Sequence, residues 1–158
     1  MTEPFVPEDF VPPAGLATSD FKLEPLGPQH NERDHAAWMS SIEHIGATAG
    51  FKDTDWPRPM SLEENLRDLE GHAKDFVART GFTYTVLDPV DDDVIGCVYL
   101  YPDREGTHDV RASSWVRSTH ASLDEPLYRV VLAWLGRDWP FSSIGYGSRD
   151  EPMHREPD

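Results

Sequence analysis

Cysteine is nearly missing from this chain: among 158 residues it occurs once, at Cys97. A single thiol cannot close an internal disulfide, so nothing points to an oxidising compartment. Basic side chains are also scarce. Fourteen Lys and Arg face 29 Asp and Glu, a formal net charge of -15 with the histidines neutral. No basic run or stripe is present, which excludes nucleic acid as a partner, because a phosphate backbone is held mainly by Lys and Arg. Anionic membrane surfaces are excluded for the same reason. Long apolar runs are lacking too. The longest, residues 94–101, has a glycine inside it and falls far below the roughly 20 residues a spanning helix needs. The first basic residue is Lys22, so the chain opens with no secretory signature. These absences predict a soluble cytoplasmic protein.

What is present suffices for a core. The hydrophobic share is 38 %, and about 45 % with the 11 glycines counted, the low edge of the globular range. Five Trp, five Tyr and seven Phe stand among aliphatic runs, which disordered chains lack. The length fits one domain able to bury roughly two-thirds of its unfolded surface.

Prolines at 4, 7, 12 and 13 oppose regular structure in residues 1–20, an arm whose Phe5, Val6, Phe10 and Val11 can anchor it on its own domain or on a partner subunit. Alternation at Phe21 and Leu23 predicts a first strand ending at Gly27-Pro28. Trp38, Ile42 and Ile45 predict a helix over 31–45. Ser61-Leu62-Glu63-Glu64 is a capping box, followed by Leu62, Leu66, Leu69, Ala73 and Phe76 on one helical face, with Gly81 as the stop. A hairpin follows, 82–87 and 94–101, its tip rich in aspartate. Tyr99 and Tyr101 fall on one face of its second strand with Ile95 and Cys97. A further strand is predicted near 109–117. Ser122-Leu123-Asp124-Glu125 reads as a second capping box, opening a helix with the stripe Leu127, Val130, Val131, Trp134 and Leu135. A last short strand covers 143–146, and 147–158 form a charged tail.

Three stretches carry a resemblance. Phe82-Thr83-Tyr84-Thr85-Val86 with Val94-Ile95-Gly96-Cys97-Val98-Tyr99-Leu100 is similar to the central hairpin of the GNAT N-acetyltransferase superfamily, Ser113-Ser114-Trp115-Val116-Arg117 to the end of its next strand, and residues 127–134 to the helix after its phosphate-binding turn. The order of elements over 21–146 resembles the same family. The resemblance implies an α/β fold, a mixed central sheet flanked by helices and truncated after the fifth strand. It also implies transfer of an acyl group, normally acetyl from acetyl-CoA, to a small-molecule amine. Val116, Arg117, Ser118, Thr119 and Ser122 would then hold the cofactor, and Tyr99 would face the acceptor as the acid.

Two departures stand against it. The family's phosphate turn carries glycines, which let backbone amides approach phosphate; residues 118–125 contain none, and Asp124 and Glu125 place carboxylates at the helix start. A phosphate about 6 Å from either would meet repulsion of about 1–3 kcal/mol at an effective dielectric near 20. The strands that usually complete the acceptor wall are also lacking after Tyr146, a wall that a homodimer or the N-terminal arm could rebuild. The alternative is a non-catalytic GNAT-like binding or dimeric interaction module; a third reading gives the cleft another ligand.

Other residues carry plainer roles. No two His or Cys share metal-ligand spacing, so no metal is expected. His72 stands beside the helical stripe, suited to boundary packing and, in a cleft, to a base. Cys97 reads as a small buried hydrophobe, Arg117 equally as a phosphate contact or a surface ion pair.

Overall fold

The structure is a computed structural model and describes residues 4–52 and 54–147. Six strands form one sheet in chain order: β1 (Leu16–Ala17), β2 (Lys22–Pro25), β3 (Phe82–Leu87), β4 (Val94–Tyr101), β5 (Val110–Val116) and β6 (Ile144–Tyr146). Neighbours are antiparallel except β5 and β6, which run parallel. Parallel strands need a crossover, and helix α4 (Asp124–Asp138) supplies it. Helices α1 (Asn31–Met39), α2 (Ile42–Gly46) and α3 (Leu62–Ala78) fill the connection from β2 to β3. The mixed α/β architecture is the one expected. The sheet does not stop at five strands, because Leu16–Ala17 adds an edge by pairing with Leu23 and Lys22.

Side chains alternate across the sheet and build two cores. On one face Tyr84, Val98, Leu100 and Val116 meet Leu127, Val131, Trp134 and Leu135 of α4. On the other, Leu87, Cys97 and Trp115 meet Trp38 of α1, Ile45 of α2 and Leu69 of α3. A bulge interrupts the alternation: Leu87 pairs with Val94 but Val86 with Gly96. The extra residue, Ile95, joins the α4 core instead of the face of Cys97 and Tyr99 where strict alternation puts it. Gly96 is required there, since a Cβ would stand 2.1 Å from the Trp115 carbonyl oxygen.

The proline-rich arm lies on its own domain. Phe5 stacks between Phe82 and Phe141 at 5.8 and 5.4 Å, and Phe10 tilts onto Trp139 at 5.3 Å. Val6 is buried, whereas Val11 is exposed. Arg79 and the Tyr84 hydroxyl donate to the carbonyls of Pro7 and Pro13, each at 2.6 Å. Apart from Gly147, the expected tail lies outside the described residues.

Three local expectations change. The helix predicted over 31–45 breaks at Ser40-Ser41, where Ser40 Oγ donates back to the Ala37 carbonyl and Ser41 turns toward Ser118; serine hydroxyls compete with the helical ladder in this way. The capping box at Ser61 forms, Ser61 Oγ accepting from the Glu64 amide and Glu64 from the Ser61 amide. The helix it opens is turned off by Arg79 in the left-handed conformation (φ 66°), two residues before Gly81. No second box forms at Ser122. Residues Ser118–Leu123 make a 3-10 turn that runs straight into α4, and the Asp124 amide donates to the Ala121 carbonyl.

Candidate active site

The buried polar groups of the interior concentrate on the α1–α3 side of the sheet. Asn65 sits on the inner face of α3, 2 % exposed, and Asp34 on the inner face of α1, 4 % exposed. They are held together: Asn65 Nδ2 donates to Asp34 Oδ2 at 3.1 Å, and Trp38 Nε1 donates to Asn65 Oδ1 at 3.1 Å. Burial raises the Asp34 carboxyl to a pKa of about 6, against the pull of the Asn65 hydrogen bond and of His30 and His35.

Around these groups lies a cavity of about 260 Å³. Its floor is the sheet, through Tyr99 of β4 and Ser113 of β5. Asp34, Asn65, Asp68 and His72 form the helical wall, and Phe51 and Trp56 of the α2–α3 connection close over it. Gly50 lets that connection pass close to β5: its φ is +97°, and a Cβ would lie 3.2 Å from that of Ser113. The rings are in mutual contact, Phe51 to Trp56 at 5.9 Å and to Tyr99 at 6.0 Å.

His72 belongs to a second polar chain. Its Nδ1 is 2.9 Å from the Tyr101 hydroxyl and 3.1 Å from Thr83 Oγ1, while Tyr101 donates to Asp75 Oδ2 at 2.9 Å. Since the Tyr101 proton goes to Asp75, its oxygen accepts from Nδ1–H, which makes Nε2 the basic nitrogen. Burial lowers the His72 pKa despite Asp75 and Asp68 nearby, so the ring is neutral near pH 7. Besides packing at the helix boundary, His72 thus offers the cavity a neutral imidazole.

Of the residues singled out in the sequence, Tyr99 lies on the cavity wall. Its oxygen accepts from Trp115 Nε1 at 2.9 Å, and burial pushes its pKa well above the ordinary tyrosine value. Val116 ends β5, fully buried. Arg117 turns back along β4, donating to Asp93 Oδ2 at 3.4 Å and to the Val94 carbonyl at 3.2 Å, while its Nε is buried without a partner. The Ser118 amide donates to Ser41 Oγ at 2.8 Å. Thr119 Oγ1 contacts its neighbour His120 Nδ1, and Ser122 is exposed in the 3-10 turn. Cys97 is fully buried with its thiol pKa raised, as a small hydrophobe would be. Among the described residues no group of three His, Cys, Asp or Glu could hold a metal ion.

The strand edge beside the cavity has the decisive shape. Among the described residues, β5 pairs with β6 from Val110 to Ala112. Residues 113–116 run on past it, about 13 Å more of strand at 3.3 Å per residue, and lead into the turn before α4. The fold recurs in solved structures. A Bordetella pertussis protein assigned to the GnaT family of acetyltransferases matches with a TM-score of 0.58 and 21 % identity, over 79 % of this chain and 74 % of that one. The fold is that of the GNAT acetyltransferases. A ribosomal-protein-S5-alanine acetyltransferase from Vibrio fischeri matches at 0.58 and 14 % identity, over 77 % of this chain and 66 % of its own. The microcin C7 self-immunity acetyltransferase MccE, solved with acetyl-CoA and AMP, matches at 0.63 and 9 %, over 79 % and 66 %. The chain thus spans between two-thirds and three-quarters of the length of these GNAT structures. By sequence, no family model and no curated protein matches it.

Asp34, Asn65, Phe51, Trp56 and Asp68 were not singled out by the sequence, and Ser113 was named only within the β5 stretch. The readable signal was Asn65, a polar residue inside the apolar stripe between Leu62 and Leu69.

Proposed function

We propose that this protein transfers an acyl group, most simply acetyl from acetyl-CoA, to the amine of a small molecule held in the cavity. The observation that carries this is the meeting of the cavity with β5 at Ser113, from which the strand runs on to the turn before α4. The cofactor would supply an activated thioester. Two features of this chain fit it: the C-terminal half of β5, residues 113–116, which begins at the cavity, and the turn 118–122, which leads into the positive end of α4.

His72 takes the amine proton at Nε2, its tautomer fixed by Tyr101 and Asp75. Tyr99 stays protonated across the working pH range and supplies the acid for the departing sulfur, its oxygen steadied by Trp115. Phe51 and Trp56 supply the apolar surface beside these groups. Arg117, tied to Asp93 and Val94, anchors the end of β5 and leaves the phosphates to the turn itself.

Calorimetric titration of acetyl-CoA tests the reading, followed by thiol release with amine present. Micromolar binding and amine-dependent release are expected. Absence of binding at millimolar acetyl-CoA overturns it in favour of a non-catalytic module, the reading that the occupied Ser118 amide and the acids at α4 favour.

A further inference from the structure

We infer that the cavity selects a small organic monocation, an ammonium on an apolar body that bears no carboxylate or phosphate. The inference rests on the proposed acceptor role of that cavity and names its substrate class.

Charge comes first. Two carboxylates, Asp34 and Asp68, line the cavity, and no Lys or Arg does. Asp34 is buried, and a buried carboxylate is normally paired with a cation. Here its hydrogen bond comes from the neutral amide of Asn65, and no Lys or Arg pairs with it among the described residues. An ammonium would supply the missing counter-charge. A carboxylate or phosphate on the same ligand would meet Asp34 and Asp68 with no cation to offset them.

The walls agree. Phe51 touches both Trp56 and Tyr99, a three-ring surface, and Trp56 is backed by Trp38 at 5.3 Å and Trp115 at 6.1 Å. A cation within about 6 Å of such faces is attracted by the ring quadrupoles, and the rings equally bury an alkyl or aryl body. Volume sets the size. At about 30 Å³ for each water-sized group, 260 Å³ holds roughly nine non-hydrogen atoms, far fewer than a folded polypeptide end with its flanking residues.

The experiment is titration of the protein, without acyl donor, with 2-phenylethylamine, phenylalanine and 2-phenylethanol, followed by tryptophan fluorescence and calorimetry. The three share one body and differ by an added carboxylate or a removed charge. The amine should bind at least about tenfold tighter than either analogue. Asp34→Asn should erase that preference and Asp68→Asn should lower it a few-fold, each variant first checked by its melting curve. Equal or tighter binding of phenylalanine or the alcohol overturns the inference, as does unchanged amine binding in a folded Asp34→Asn protein, or no amine binding at millimolar concentration. Acetyl-CoA is titrated separately. Donor binding without amine preference removes only the cation selectivity, and amine preference without donor binding removes only the transfer reaction.

Discussion

The two faces of the sheet are built to different ends. On the α4 face the arm, the sheet and the helix interlock as aromatic packing: Tyr84 stands edge-on to Trp134 at 5.1 Å, Trp134 edge-on to Trp139 at 5.5 Å, and Trp139 stacks on Phe141 at 5.8 Å. On the α1–α3 face the same density of rings surrounds a carboxylate, an amide, an imidazole and an open volume. The first face stores stability. The second gives some of it up to hold polar groups where water is scarce, which is what a chemical site requires.

The comparison can be broken first on the packed face. Trp134→Ala should cost about 3–5 kcal/mol in urea unfolding, because it empties a fully buried position; a loss under about 1 kcal/mol would show that the α4 face is not where stability resides.

On the other face a deletion of charge should act in the opposite direction. Asp34 in the folded protein keeps its proton up to a pKa of about 6, whereas in the unfolded chain it has lost it near its ordinary value of about 3.9. Its contribution to stability is therefore fully present below about pH 4, and is lost as pH rises through about 6. Asp34→Asn should raise stability at pH 8 by on the order of 3 kcal/mol, and the difference from the parent should vanish toward pH 4. Thermal melts of both proteins across that window read the sign; a destabilised variant at pH 8 would mean that the carboxylate is favourably paired.

His72→Gln sharpens the contrast between stability and chemistry. It should lower the acyl-transfer rate by about a hundredfold while leaving the melting temperature within a few degrees. An unchanged rate would remove His72 as the base. The smallest effect belongs to the arm: Phe5→Ala, half-buried between Phe82 and Phe141, should cost about 1–2 kcal/mol, with amine binding unaltered because the arm lies on the far face.

The sequence made the packed face readable and the polar face obscure, and the reason is periodicity. Leu127, Val131, Trp134 and Leu135 declare a helix stripe, and Phe82, Tyr84 and Val86 declare a strand, because burial there is paid in hydrophobic side chains at regular spacing. Asp34, Asn65 and Ser113 are inward-facing residues whose types favour the surface, so residue type works against the inward position that spacing gives Asn65. Their meeting depends on α1, α3 and β5 converging from distant parts of the chain. Tyr99 was legible because it sits in the hairpin; its indole partner Trp115 belongs to the next strand. Ile95 was misplaced by one bulge, which no alternation rule announces. The second capping box failed because the 3-10 turn had already bonded the Asp124 amide that opens α4.

Ser41 joins two regions that would otherwise be independent. It stands at the α1–α2 junction, next to the helix that carries Asp34, and accepts the Ser118 amide of the turn before α4, at 2.8 Å. Under the proposed function, a phosphate that draws on that amide would compete with Ser41, which stands just past the helix carrying Asp34. Occupancy of the two sites is then linked antagonistically, and thermodynamics makes the linkage reciprocal. A hydrogen bond worth about 1 kcal/mol sets the factor at about fivefold in either direction. One serine hydroxyl thus ties the α1–α2 junction to the turn before α4, and under the proposed function it would set a modest cost on filling both sites together.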